Sequence, residues 1–190
     1  MLDFLSTMDI KATDLTDLSK CKKCPLLGKD HVPAIGNEFA TLMIIGQSPG
    51  ELEVLERKPF VGPSGELLNF MLDEAGLTRE EVYITNLLKC RPPQNRKGYK
   101  DEHTNCFGKW LFNEIKLVNP GLILLLGKDA HTIVLPKRME FRHLAINESK
   151  NRSYLSSYHP SYFLRIGRVD KFVEVGGFVK NIVDRLDNKV

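Results

Sequence analysis

The sequence predicts an α/β protein: a three-layer α/β/α sandwich built on a central four-stranded parallel sheet. Two observations predict it. Four short apolar runs, each of strand length and bounded by turn residues, are separated by helical patterns. The stretches richest in Gly, Pro and polar residues lie just after those runs, where the strand ends of such a sheet form a ligand crevice.

The strands are expected at TLMIIG (41–46), VYIT (82–85), GLILLLG (121–127) and YLSSY (154–158). After the first comes SGELLNFMLDEAGL, with Leu67, Leu68, Met71 and Leu72 on one helical face, Ser64 as N-cap and Gly76 as stop. DEHTNCFGKWLFNEIKLV follows the second strand and reads as one helix ending before Pro120. DKFVEVGGFVKNIVDRL closes the chain as a helix weakened by Gly176-Gly177. The strand ends carry GQSPGE, TNLLKCRPPQNR, GK and HPS, so the unusual stretches converge on one edge of one sheet.

With 190 residues, 42% of them apolar and 27% charged, the chain suits a single domain over 1–190, in which residues 1–20 have no assignable role. The N-terminus has no basic region before an apolar core, and the longest apolar run is too short to cross a bilayer. A cytoplasmic monomer without membrane contact is expected. The net charge of +3 says little, but its distribution says more. Lys89, Arg91, Arg96, Lys97 and Lys100 crowd one loop, and Arg165, Arg168 and Lys171 follow a His-Pro pair. GQSPGE lacks the Lys-Ser/Thr of a P-loop, which argues against a nucleotide hydrolase.

Cys21 and Cys24 form a C-x2-C pair, while Cys90 and Cys106 stand farther apart. Two lysines between the first pair make a poor core, and four cysteines in a cytosolic chain point to metal rather than disulfides. Four thiolates suit structural zinc or an iron–sulfur cluster, and spacing alone leaves both open.

The order C-x2-C, GQSPGE, KPFVGPSGELL, YITNLLKCRPPQNR, a further cysteine, LILLLGKDA and YHPSYFLR resembles the iron–sulfur (family 4) uracil-DNA glycosylases. The likeness runs from about Cys21 to Arg165. It implies a [4Fe-4S] cluster on Cys21, Cys24, Cys90 and Cys106, and DNA as partner, with repair or replication proteins beyond it. It also implies uracil-DNA glycosylase activity in base excision repair, in a prokaryotic or viral setting. Phe60 would be the platform on which a flipped uracil stacks, and Asn86 would read its edge. His159 would donate to uracil O2 as charge develops on the departing base. Gln47 and Asn95 are expected at the catalytic water, and Gln47 also at the uracil. Arg91, Arg96, Lys97 and Arg165 are expected on the DNA backbone.

The sequence departs from that family at the first strand end. Its usual Gly-Glu-Ala-Pro-Gly reads Gly46-Gln47-Ser48-Pro49-Gly50 here, so an amide replaces a carboxylate. Arg57-Lys58 also replaces the glycine usual before PFVG. Glu51 and Glu53, downstream, read as solvated surface carboxylates. The alternatives are therefore a relative with weak or changed base specificity, or a non-catalytic DNA-binding accessory protein.

Overall fold

The computed structural model describes residues 21, 24–26, 31–149 and 151–188; the segment 1–20 lies outside the described residues. The chain forms β1 (Ile35–Gly36), β2 (Leu42–Gly46), α1 (Glu51–Glu56), α2 (Pro63–Ala75), β3 (Tyr83–Asn86) and α3 (Lys100–Cys106). A π-helical stretch (Phe107–Leu111) leads into α4 (Phe112–Val118). Then come β4 (Leu122–Leu126), α5 (Lys128–Val134), β5 (Ala145–Ser149), β6 (Arg152–Ser157), α6 (Pro160–Arg165) and α7 (Val169–Asp187). No helix among the described residues is long and apolar enough to cross a membrane.

The six strands form one sheet in the order β1-β3-β2-β4-β6-β5. The four expected strands are its parallel centre, joined β3-β2-β4-β6. The sheet is extended beyond the expectation by an antiparallel strand at each edge, β1 on β3 and β5 on β6. Within the polar stretch 137–152, β5 forms one arm of a hairpin and runs back along β6 from Ala145↔Ser156 to Ser149↔Arg152.

LMIIG and LILLL lie wholly inside because helices cover both faces of a parallel sheet. Alternate residues feed two cores. Leu42, Ile44, Leu122, Leu124 and Leu155 pack under α2 and α7. Met43, Ile45, Ile123 and Leu125 pack with Leu111 and Ile115 on the other side.

Two local expectations change. The N-cap of α2 is Gly62, with Pro63 at the first helical position, so Ser64 lies inside the helix rather than at its cap. Gly76 does end α2, in the left-handed conformation. The Gly176-Gly177 pair does not break α7, which runs through it. A Cβ at Gly176 would press into the Met71 carbonyl and lie 2.8 Å from Glu74 Cβ. Glycine there is what lets α7 approach the backbone of α2.

Candidate active site

At the carboxyl ends of β2, β3 and β6 lies a cleft of about 420 Å³. Gln47, Phe60, Asn86, Asn95 and His159 all line it, together with Ser48, Glu53 and Ser161. Strand ends supply the position of each key group. Gly46 closes β2 and pairs directly with Asn86, the last residue of β3. His159 follows β6 and caps α6.

Gly46 is the floor. A Cβ there would lie 2.5 Å from Phe60 Cζ and closer still to Asn86 Oδ1, so ring and amide both rest on its bare backbone. Asn86 is 3% exposed, and its Oδ1 has no hydrogen-bond partner among the described residues. A buried acceptor left open costs about 1–3 kcal/mol and is uncommon in folded proteins. Set in a cleft wall, it is an acceptor that a donor entering the cleft can reach.

Phe60 is buried and adopts a positive φ of 54°, which a bulky residue holds only when its surroundings enforce it. Glu53 does the enforcing. Its carboxylate accepts the Gly50 N–H at 2.5 Å and the Phe60 N–H, while the Val61 N–H lies against the same group. Burial raises the Glu53 pKa, and these three amides and Arg79 act against that rise. Glu53 is therefore a half-buried brace in the cleft wall, not the solvated carboxylate expected. Glu51 is solvated, as expected, and pairs with Arg91 at 3.2 Å.

The His159 ring faces Phe60 with centroids 5.7 Å apart and planes 28° from parallel. The Ser161 N–H donates to His159 Nδ1 at 3.3 Å, which leaves the ring's proton on Nε2 in the neutral form. Burial lowers the His159 pKa to about 4, so at neutral pH the ring is an uncharged donor. Aromatic packing holds its loop. Tyr158 stacks on Tyr162 at 4.5 Å, and Phe141 and His143 press on Tyr158 from the stretch before β5. That gives residues 137–144 a supporting role that their polar composition conceals.

The basic loop is less free than its sequence implies. Arg96 forks onto buried Glu102 at 2.9 and 2.6 Å and lies 3.8 Å from the Tyr99 ring centroid. Lys97 pairs with Asp129 at 2.6 Å while staying exposed. Arg91 donates to Asn95 Oδ1 at 2.8 Å. Arg165 forms no ion pair among the described residues and sits 5.9 Å from the Tyr162 ring centroid.

Cys21, Cys90 and Cys106 share one buried cluster with Leu26, Leu88 and Trp110, and Cys24 packs against it. No disulfide joins any of the four, and the Trp110 indole N–H donates to Cys21 Sγ at 3.0 Å. Burial pushes the Cys106 thiol up to about 11, with Cys21 and Cys24 adding to the rise. Among the described residues no three His, Cys, Asp or Glu side chains converge in a geometry that could hold a metal ion. The thiols are gathered in one apolar nest more loosely than that.

The chain is similar in sequence to known proteins. The family model of the uracil DNA glycosylase superfamily matches residues 33–177. The chain is 38% identical over 172 residues to the Type-4 uracil-DNA glycosylase of Saccharolobus solfataricus, covering 83% of this chain and 79% of that protein. It is 35% identical to the Type-4 enzyme of Archaeoglobus fulgidus, over 78% of this chain and 80% of the other. With the Thermotoga maritima Type-4 enzyme the identity is 36%, again over 78% and 80%.

Proposed function

Because the chain belongs to the uracil DNA glycosylase superfamily, we propose that it excises uracil from DNA by hydrolysing the N-glycosidic bond, the opening step of base excision repair. One observation carries the proposal: the buried Asn86 Oδ1, without a hydrogen-bond partner among the described residues, stands beside the Phe60 ring and within the same cleft as a neutral His159.

A base can be cut from its sugar only after leaving the stack. The flipped uracil lies on Phe60, donates N3–H to Asn86 Oδ1 and accepts from Asn86 Nδ2 at O4. Cytosine offers the opposite pattern, a bare N3 and an amine, and would leave both amide groups unpaired. As the bond between C1′ and N1 breaks, its electron pair moves into the ring and charge gathers on O2. His159 Nε2–H donates to that oxygen, and stabilisation that grows with the charge is what lowers the barrier. Gln47 and Asn95 orient the water whose oxygen bonds to C1′, and its proton passes to solvent. Arg91, Lys97 and Arg165 follow the phosphates, while Arg96 holds the loop through Glu102.

In the same reading Cys21, Cys24, Cys90 and Cys106 hold a [4Fe-4S] cluster. When bound, it supplies a rigid cross-link rather than chemistry at the sugar. The donor set supports the fit. Four thiols, none of them joined in a disulfide, are gathered in one apolar nest, and thiolates are the donors such a cluster takes.

A single-stranded oligonucleotide with one uracil, incubated with anaerobically purified protein and cleaved with alkali, should break at the uracil. His159→Ala should leave it intact. An intact strand with the wild-type protein refutes the proposal. Gln47-Ser48 at the first strand end favours one second reading, excision of an altered base, and the same gel run on oligonucleotides with modified pyrimidines tests it.

A further inference from the structure

Lys89 is 2% exposed, and the mechanism above makes no use of it. Its ammonium donates to Glu114 Oε2 at 2.7 Å, to the Asn86 main-chain carbonyl at 2.9 Å, and to Thr85 Oγ1. The Thr85 hydroxyl in turn donates to Glu114 at 2.8 Å. The result is a closed knot of buried polar groups directly beneath the last residue of β3. The Lys89 main chain is engaged as well. Its carbonyl accepts the Val32 N–H at 2.8 Å, and its N–H donates to Cys106.

A buried ion pair is a poor source of stability, because desolvating two charges offsets their attraction, and apolar residues of similar size often serve as well. The knot does provide one thing that apolar residues would not: a donor on the Asn86 carbonyl. With Leu87 N–H on the Gly46 carbonyl, at 2.9 Å, that donor fixes the peptide carrying the base-reading amide. The amide oxygen has no hydrogen bond of its own among the described residues, so its aim depends on the backbone beneath it.

We propose that Lys89, seated on Glu114 and Thr85, is a positioning residue for uracil reading. It transmits the rigidity of the cysteine-bearing segments to Asn86. This rests on the proposed uracil chemistry, and the test separates the two.

The double variant Lys89→Met/Glu114→Met removes both charges together and keeps the volume filled. Free uracil as inhibitor reports base reading, and affinity for an abasic-site duplex reports DNA binding without a base. In the double variant, uracil inhibition should weaken at least tenfold, and single-turnover excision should slow at least tenfold. Iron content and abasic-site affinity should stay within twofold of wild type. Uracil inhibition within twofold of wild type, or abasic-site affinity falling in parallel, overturns the proposal. If the double variant does not fold, Thr85→Val decides in its place, since it loosens the same knot isosterically. About threefold weaker uracil inhibition with unchanged abasic affinity supports Lys89, and no change overturns it. A wild-type protein that neither excises nor is inhibited by uracil instead refutes the proposed function itself.

Discussion

Substituting Gly46 by alanine adds one methyl group to the floor of the cleft. Backbone strain is not the issue, since Gly46 lies in a strand with ordinary φ. The methyl would meet Phe60 Cζ at 2.5 Å, Phe60 Cε2 at 2.7 Å, and Asn86 Oδ1 closer still. To reach ordinary contact, ring and amide must each retreat by about 1 Å. Neither can do so freely, since Phe60 is 2% exposed with its backbone tied to Glu53, and Asn86 is 3% exposed. A misplacement of about 1 Å at groups that orient a substrate costs on the order of a hundredfold in rate. Overpacking of this kind costs about 1–3 kcal/mol in stability, which a domain of this size tolerates. Gly46→Ala should therefore fold, keep its affinity for abasic-site DNA, and excise uracil about a hundredfold more slowly under single-turnover conditions with enzyme in excess. A folded variant whose rate stays within threefold of wild type would show that Phe60 and Asn86 do not form the uracil seat.

Other substitutions probe other links. His159 has a folded pKa of about 4 against an ordinary 6.5, so the unfolded chain binds more protons between those values. Its contribution to stability is thus complete above about pH 6.5 and is lost as pH falls toward 4. Single-turnover excision, to the extent that His159 governs it, should stay flat from neutral pH down to about 5 and fall below that, whereas loss of rate beginning near pH 6.5 would contradict a neutral donor. Gln47→Glu restores a carboxylate at the first strand end. It should raise the single-turnover rate between tenfold and about a hundredfold, the scale of one preorganised charge, and an unchanged rate would mean that Gln47 lies off the reaction path. Gly176→Ala is a control far from the chemistry. Its methyl meets the α2 backbone, so thermal unfolding should reveal a loss of about 1–3 kcal/mol while the excision rate per folded molecule stays that of wild type.

The parallel centre of the sheet was legible because strands buried on both faces read as unbroken apolar runs, as LMIIG and LILLL do. The edge strands were not. Two residues, Ile35–Gly36, carry no period, and AINES is half-exposed and polar, so both are strands by virtue of the neighbour they pair with. Asn86 and His159 could be placed at one edge of the sheet from the rule that strand ends converge, whereas Phe60, which follows α1 rather than a strand, was placed there only by the family resemblance. The Glu53 brace could not, because its partner at Phe60 is brought back by a turn that no spacing announces. Sequence charge also does not say whether a charge is already taken. Arg96 stands in a basic run yet is held by Glu102, a carboxylate with no exposure at all. The Lys89–Glu114 pair spans 25 residues and looks, in sequence, like two solvated ions.

Uracil recognition depends on the base N3–H meeting Asn86 Oδ1, and two free bases test that contact directly. Uracil should inhibit excision, while N3-methyluracil, which carries no hydrogen there and leaves the buried oxygen unpaired, should inhibit at least about a hundredfold more weakly. Equal inhibition by the two bases would mean that this oxygen does not read the base.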